Sequence, residues 1–208
     1  MKNKIAAVVL ASGRSERMKE NKLLMMFNGM PICEHVIKTL SSINVDIIVV
    51  TCYKKVLDIA KKYNTTVVEN NESYLGQSRS VILGVENAMN YDGIIFIPAD
   101  QPLISKETFN GLINKFKLCN KIVVSSYNGK RGIPNIFPKR FYNQLLKIEG
   151  DIGGREVIVD NSSDIEKFEV ENVNESFDID CLDDYIKLQN DALIWMIYYF
   201  YKKTLAFY

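Results

Sequence analysis

Two groups of charged residues in this chain are spaced to act on one ligand. Arg14, Arg17, Lys19 and Lys22 fall within nine residues, directly after the small-residue turn Ala11-Ser12-Gly13. Small residues let a backbone approach a ligand that larger side chains would hold off, and the amides of such a turn can hold phosphate oxygens. Arg17 and Lys22 can meet the same charge from the loop. Asp100 closes a hydrophobic run, and Asp178 and Asp180 alternate with Phe177 and Ile179. That alternation puts both aspartates on one face of a strand, where either could join Asp100 on a metal. Magnesium takes oxygen ligands, needs one or two carboxylates and fills its shell with water and substrate phosphates. These residue types therefore allow polyphosphate binding beside a divalent cation. A plainer reading competes, in which Glu16 and Glu20 neutralise half of the cations in a solvated turn. Neither the G-x4-G-K-[ST] spacing nor the three glycines of GxGxxG are present at this loop.

Other polar residues sit where chain turns are expected. Ser78 opens a helical pattern together with Arg79 and Ser80, and serves equally as an N-cap or as a ligand contact. Arg131 and Arg155 each adjoin glycine, which suits close approach to an anion and equally suits an exposed turn. The single histidine, His35, lies on the first helical pattern and reads as a partly buried structural residue.

The elements that must position these residues alternate along the chain. IAAVVL (5–10) is continuous and apolar, as a strand buried on both faces would be. Pro31 opens a helix with Ile32, Val36, Ile37 and Leu40 on one face. Strands are expected at 45–51, 65–70, 93–100 and 121–127, with helices at 56–63, 78–89 and 107–116 between them. This order predicts an α/β fold with a mostly parallel sheet and helices on both faces. Ligands of such sheets sit at the C-terminal ends of strands, which places 10–22, Asp100 and the loop before the third helix on one rim. After residue 128 the pattern loosens into turn residues, a short extended piece, a helix opened by Pro138, a glycine-rich 149–158, a strand-like 165–171 and a last helix.

The 208 residues suit one domain rather than two. The net charge of +1 gives no sign of a nucleic-acid partner, so any phosphate chemistry must come from a local cluster. Four scattered cysteines without a CxxC pair suggest reduced thiols and a cytoplasmic location. The N-terminus reads as a first strand rather than a signal peptide. The tail 193–208 is aromatic, of unknown role, and too short and tyrosine-rich for a firm membrane signal. The expected organisation is one domain over 1–192 followed by that tail.

LASGRSERMKENKLL (10–24) resembles the LAAGxSxRMGxxKLL signature of the MobA-like nucleotidyltransferase superfamily, most closely its molybdenum cofactor cytidylyltransferase branch. Leu10, Ala11, Gly13, Ser15, Arg17, Met18, Lys22, Leu23 and Leu24 match in register; Ser12 replaces a usual alanine and Lys19 a usual glycine. YLGQSRSVILGV (74–85), PADQP (98–102), RGIP (131–134), GDIGGREVI (150–158) and FDIDCLDDY (177–185) are similar to the family's later motifs, in order. Ile133 stands where relatives often have histidine.

The resemblance implies a single-domain, Rossmann-like three-layer sandwich of the nucleotide-diphospho-sugar transferase type. It implies Mg²⁺-dependent transfer of CMP from CTP to molybdopterin carrying molybdenum. Arg17, Lys22 and Asp100 would be catalytic. Leu10, Ala11, Ser12, Gly13, Gly76, Gln77, Ser78 and Ser80 would join them in holding the nucleotide. Gln101, Arg131, Gly132, Pro134, Asp151, Gly153, Gly154 and Arg155 would hold the acceptor, and Asp100 with Asp180 or Asp178 the metal. Ser12, where the guanylyl branch tends to have glycine, favours CTP over GTP. Another nucleotide, another phosphorylated acceptor, or a non-catalytic accessory protein for a molybdenum hydroxylase client are the alternatives.

Overall fold

In the computed structural model, residues 4–15, 17, 18 and 20–190 are described. Glu16, Lys19 and the tail 193–208 lie outside them. The chain begins with β1 (Ile5–Ala11), a hairpin of β2 (Met26–Phe27) and β3 (Met30–Pro31), α1 (Ile32–Ser41), β4 (Asp46–Thr51), α2 (Lys54–Ala60) and β5 (Thr66–Glu69). There follow α3 (Gln77–Asn87), β6 (Gly93–Pro98), α4 (Lys106–Cys119), β7 (Ile122–Tyr127) and β8 (Lys130–Pro138). Short helices α5 (Tyr142–Leu145) and α6 (Arg155–Asp160), β9 (Ile165–Glu169) and a last helix α7 over 182–190 complete it.

Among the described residues seven strands form one sheet in the order β5-β4-β1-β6-β8-β7-β9. Only β8 runs against the others, antiparallel to both β6 and β7. Side chains alternate between faces along each strand, and the buried residues divide accordingly. Ala7, Val9, Ala11, Ile47, Val49, Ile95 and Ile97 pack with α1, α2 and α4. Ala6, Val8, Ile48, Val50, Ile94 and Phe96 pack with α3, α5 and α6 on the other side. The molecule is thus a single-domain, three-layer α/β sandwich with a mostly parallel sheet. Helices bury one stripe each: α4 presents Phe109, Leu112, Ile113 and Phe116 at three- and four-residue spacing. Each such side chain contributes about 1.5–3 kcal/mol on burial. Ser105 caps α4 by accepting from Thr108 N at 3.2 Å.

One stretch differs from the sequence expectation. Residues 130–138 form a nine-residue strand, not turns and a short extended piece. Gly132, Pro134 and a register shift against β7 between Val124 and Ser126 interrupt the alternation that would have revealed it. Pro138 is followed by a single 3-10 turn, Lys139–Phe141, before α5. Among the described residues no helix is long and apolar enough to cross a membrane.

Candidate functional site

The C-terminal ends of β1, β4 and β6 lie side by side, with Ala11 beside Thr51 and Leu10 beside Pro98. The loop after β1 is fixed from β4. Thr51 Oγ1 donates to Ala11 O at 2.9 Å and Tyr53 OH to Gly13 O at 2.8 Å. Cys52 Sγ approaches Ser12 O at 3.8 Å. In a trans peptide the N–H opposes the preceding carbonyl. With these carbonyls turned to β4, the amides of Ser12, Gly13 and Arg14 face away from it. The same three residues line a cavity of about 520 Å³.

Lys22 occupies a 3-10 turn, Lys22–Leu24, capped by Asn21, whose side chain accepts from Leu23 N at 3.0 Å. Its ammonium lies 2.6 Å from Asp100 and 3.2 Å from Asp180, while Arg17 reaches Asp180 at 3.4 Å. Burial lowers the Lys22 pKa, but the charge and hydrogen bond of Asp100, with help from Asp180, hold it above the ordinary value. Asp178 is pushed up, first by burial and then by the charge of Asp180. Among the described residues no group of three or more His, Cys, Asp or Glu side chains has a metal-holding arrangement. The donor set nevertheless fits a hard divalent cation that takes two protein carboxylates and completes its shell with phosphate and water. A cation there would also relieve the repulsion that raises Asp178.

The segment 177–180 is irregular, not the expected strand. Ile179 is fully buried with Phe27, Ile32 and Leu188, and so pins the two flanking aspartates. The N-terminus of α7 fixes them further. Asp184 Oδ2 accepts from Asp180 N at 3.0 Å and Cys181 N at 2.9 Å, the reach-back half of a capping box. Tyr185 OH and Gln189 Nε2 both donate to Met26 O, docking α7 on the β2–β3 hairpin. Asp180 lines the first cavity, and Asp178 lines a second.

Ser78 does not cap α3. The N-cap is Gly76, at φ 98°, with no side-chain hydrogen bond of its own. The cap comes from a distant turn: Asp151 Oδ1 accepts from Gln77 N at 3.2 Å, and Gly150 O from Ser78 N at 3.1 Å. A Cβ on Gly76 would strike the Gly150 carbonyl, so only glycine permits this approach. Two of the first amides of α3 are therefore engaged by protein atoms and are not open to an anion. Ser78 itself is buried, and Ser80 accepts from Asn70 Nδ2 at 2.9 Å.

The first cavity brings together Leu10, Ser12, Gly13, Arg17, Lys22, Gly76, Gln77, Ser80 and Asp100. Ala11 and Ser78 point elsewhere, the former into the core. Sequence reasoning did not single out Tyr74 or Ser73 there, because an aromatic beside a turn has no signature of its own. Of the expected acceptor residues, Gln101, Arg131 and Gly132 line the second cavity, about 460 Å³, with Tyr127, Lys130 and Asp178. Gln101 is almost wholly buried and its Oε1 has no partner among the described residues. Asp151 instead lines the first cavity. Pro134, Gly153, Gly154 and Arg155 line neither. The Pro134 carbonyl takes Ser125 Oγ at 2.6 Å, Gly153 packs on Gln77 and Gly154 on Phe137. His35 is structural: its Nε2 meets Phe27 O at 2.7 Å and its ring packs on the Phe27 ring.

Residues 7–165 match the family described as MobA-like NTP transferase domain. Purine catabolism protein PucB of Bacillus subtilis is 29% identical over 168 residues, 74% of this chain and 80% of that protein. A probable molybdenum cofactor guanylyltransferase of Bacillus cereus is 28% identical over 132 residues. That alignment covers 62% of this chain and 65% of the relative, so the chain spans just under two thirds of that relative's length. The crystal structure of Rv0371c from Mycobacterium tuberculosis superposes with a TM-score of 0.78 at 22% identity, over 91% of this chain and 99% of that one. The same mycobacterial protein has been crystallised in complex with manganese; that structure superposes at TM-score 0.75 and 21% identity, over 90% of this chain and 98% of that one.

Proposed function

The chain belongs to the MobA-like NTP transferase family, a family of nucleotidyltransferases, and on that premise we propose that it transfers CMP from CTP to molybdopterin carrying molybdenum. The observation that carries this reading is the cluster of Lys22, Asp100 and Asp180 on the glycine-loop cavity, with Gln101 and Asp178, their near neighbours in sequence, on the cavity lined by Arg131. In it, a terminal phosphate oxygen of the acceptor attacks the α-phosphorus of CTP. The bond from that phosphorus to the bridging oxygen breaks, and pyrophosphate leaves with the electron pair. A terminal phosphate is largely ionised near neutral pH, its second pKa being about 6, so no general base is required. That agrees with a histidine committed to packing.

The amides of residues 12–14, Arg17 and Lys22 hold the triphosphate and stabilise the charge that develops on the departing group. Asp100 and Asp180 hold Mg²⁺, which when bound neutralises phosphate charge and orients the α-phosphate; the manganese complex of the mycobacterial neighbour supports a divalent cation. Arg131, Gln101 and Gly132 hold the acceptor. Ser12 in place of a second glycine supports cytidine, whereas the guanylyltransferase relative supports guanosine. The test is pyrophosphate release from CTP, GTP, ATP and UTP with Mg²⁺ and molybdenum-loaded molybdopterin. Release led by CTP is the expected result, and release led by another nucleotide reassigns the base.

The PucB relative favours one second reading, an accessory protein that passes cofactor to a molybdenum hydroxylase without turnover. Pterin binding with no pyrophosphate from any nucleotide would establish it.

A further inference from the structure

The nucleotide cavity is lined by two chemically different groups of residues. One is the loop of residues 12–14 with Arg17 and Lys22. The other is Tyr74, Gln77 and Asp151, gathered where the turn before α3 meets Gly150. We propose that Tyr74 and Asp151 form a nucleobase seat that selects bases bearing an exocyclic amino group. This rests on the nucleotidyltransferase reading for the identity of the ligand and goes beyond it in assigning the base.

Among the described residues Tyr74 is the one aromatic side chain lining this cavity, and it is 63% exposed. A large ring held mostly in water beside a cavity has an open face, and a stacked base covers it. It stands on the turn Ser73–Leu75, two residues before Gly76. Asp151 is brought to the same turn by the Gly76–Gly150 approach and by its bond to Gln77 N at 3.2 Å. That bond engages Oδ1. The carboxylate has a second oxygen, and both are acceptors only.

The other two aspartates on this cavity, Asp100 and Asp180, are bound to the Lys22 ammonium, whereas Asp151 is bound to a backbone amide. Asp151 is therefore poorly placed for a triphosphate, which it would repel, and suited to an N–H donor. Cytosine, adenine and guanine present an amino group on the edge that a carboxylate can read. Uracil presents one ring N–H flanked by two carbonyls, which would face the carboxylate unfavourably.

The experiment is calorimetric titration of the full chain with nucleotide pairs that differ at the amino group, CTP against UTP and GTP against ITP, with Mg²⁺ and no acceptor. The expected result is about tenfold tighter binding of the amino member in the pair whose ring size fits. Asp151→Asn keeps an oxygen for Gln77 N–H and should bring that ratio close to one. Tyr74→Ala should weaken every nucleotide about tenfold, with Tyr74→Phe near wild type. Affinity for inorganic tripolyphosphate should move in none of these variants.

An unchanged ratio in Asp151→Asn overturns the seat, as does equal loss of nucleotide and tripolyphosphate in Tyr74→Ala. The two readings fail separately. Amino selectivity without pyrophosphate release under any acceptor leaves the seat standing and removes the transferase reading of this chain. Pyrophosphate release without amino selectivity does the reverse.

Discussion

Lys22 is held by two carboxylates in a cavity built for a polyanion, so on the proposed reading it must change partners. Asp100 and Asp180 would hold a divalent cation on that reading, which would leave the Lys22 ammonium free to meet phosphate. Asp100→Asn should therefore stay folded, since Lys22 keeps Asp180, while pyrophosphate release falls about a hundredfold or more. Comparable turnover in a folded Asp100→Asn protein would refute the metal assignment. Lys22→Met behaves differently, because it leaves Asp100, only 19% exposed, without its partner. It should lose activity and also about 2 kcal/mol of stability, read by denaturant unfolding. Tyr53→Phe removes the bond to Gly13 O, and should raise KM for the nucleotide about three- to tenfold with kcat nearly unchanged. Thiol labelling offers a check on packing at this scale. Cys33 is buried and its pKa is pushed up to about 12 by burial, whereas Cys52 is exposed; a thiol reagent at neutral pH should modify Cys52 and spare Cys33. Arg17, Lys22 and Asp100, which share the first cavity, were legible in the sequence because charge following a buried strand falls on the rim of the sheet and because the motif places them; residue types alone also allowed a solvated turn. Tyr53 and Tyr74 were not, and Asp151 was expected at the acceptor rather than on the nucleotide cavity, because Tyr53 reaches Gly13 and Asp151 reaches Gln77 across the fold.

At the scale of elements, β1, β4, β6, α1 and α4 followed from periodicity, since each buries a continuous run or a single stripe. β8 did not, because a strand between two antiparallel neighbours that contains Gly132 and Pro134 carries no clean alternation. The start of α3 was misread for a related reason. A serine in the first turn is a local signal, and the actual cap, from Gly150 and Asp151, lies more than seventy residues on. That cap makes a prediction of its own. Gly76→Ala meets both a positive φ and the Gly150 carbonyl, so the two loops cannot remain in contact. Nucleotide affinity should fall while the far face of the sheet keeps its hydrogen-exchange protection; unchanged affinity would mean that the contact does not shape the cavity. The beginning of α7 follows the same logic. Asp184 lies below the usual carboxylate range, first through its bond with the Cys181 side chain and next with the Asp180 backbone N–H. A depressed carboxylate stabilises above its unfolded pKa, and that contribution is lost as pH falls through the folded one. Asp184→Ala should therefore loosen Asp180 at neutral pH and have little further effect in acid.

For the whole molecule, the decisive feature is that the carboxylates separate two cavities. Asp100 and Asp180 face one, and Gln101 and Asp178, their near neighbours in sequence, face the other. The sheet produces this division. β6 ends at the rim and delivers Asp100 and Gln101 in succession, while buried Ile179 splays the two aspartates around it. Sequence reasoning placed Asp100 on the rim and, through the resemblance, gave Gln101 to the acceptor, but it could not choose between Asp178 and Asp180, because that depends on which side of Ile179 each carboxylate leaves. On the proposed reading, each substrate then has its own walls and shares only the metal with the other. Arg131 lines the acceptor cavity and not the nucleotide cavity, so Arg131→Ala should raise KM for the acceptor about tenfold, with KM for the nucleotide unchanged. Asp151→Asn should do the opposite, altering nucleotide selectivity while acceptor KM holds. Removing the metal with a chelator should abolish turnover in every variant, and Mg²⁺ should restore it, because both substrates meet there. Steady-state kinetics with each substrate varied in turn reads all three effects. If Arg131→Ala raised both KM values equally, the two cavities would be parts of one site and the separate-wall arrangement would fall.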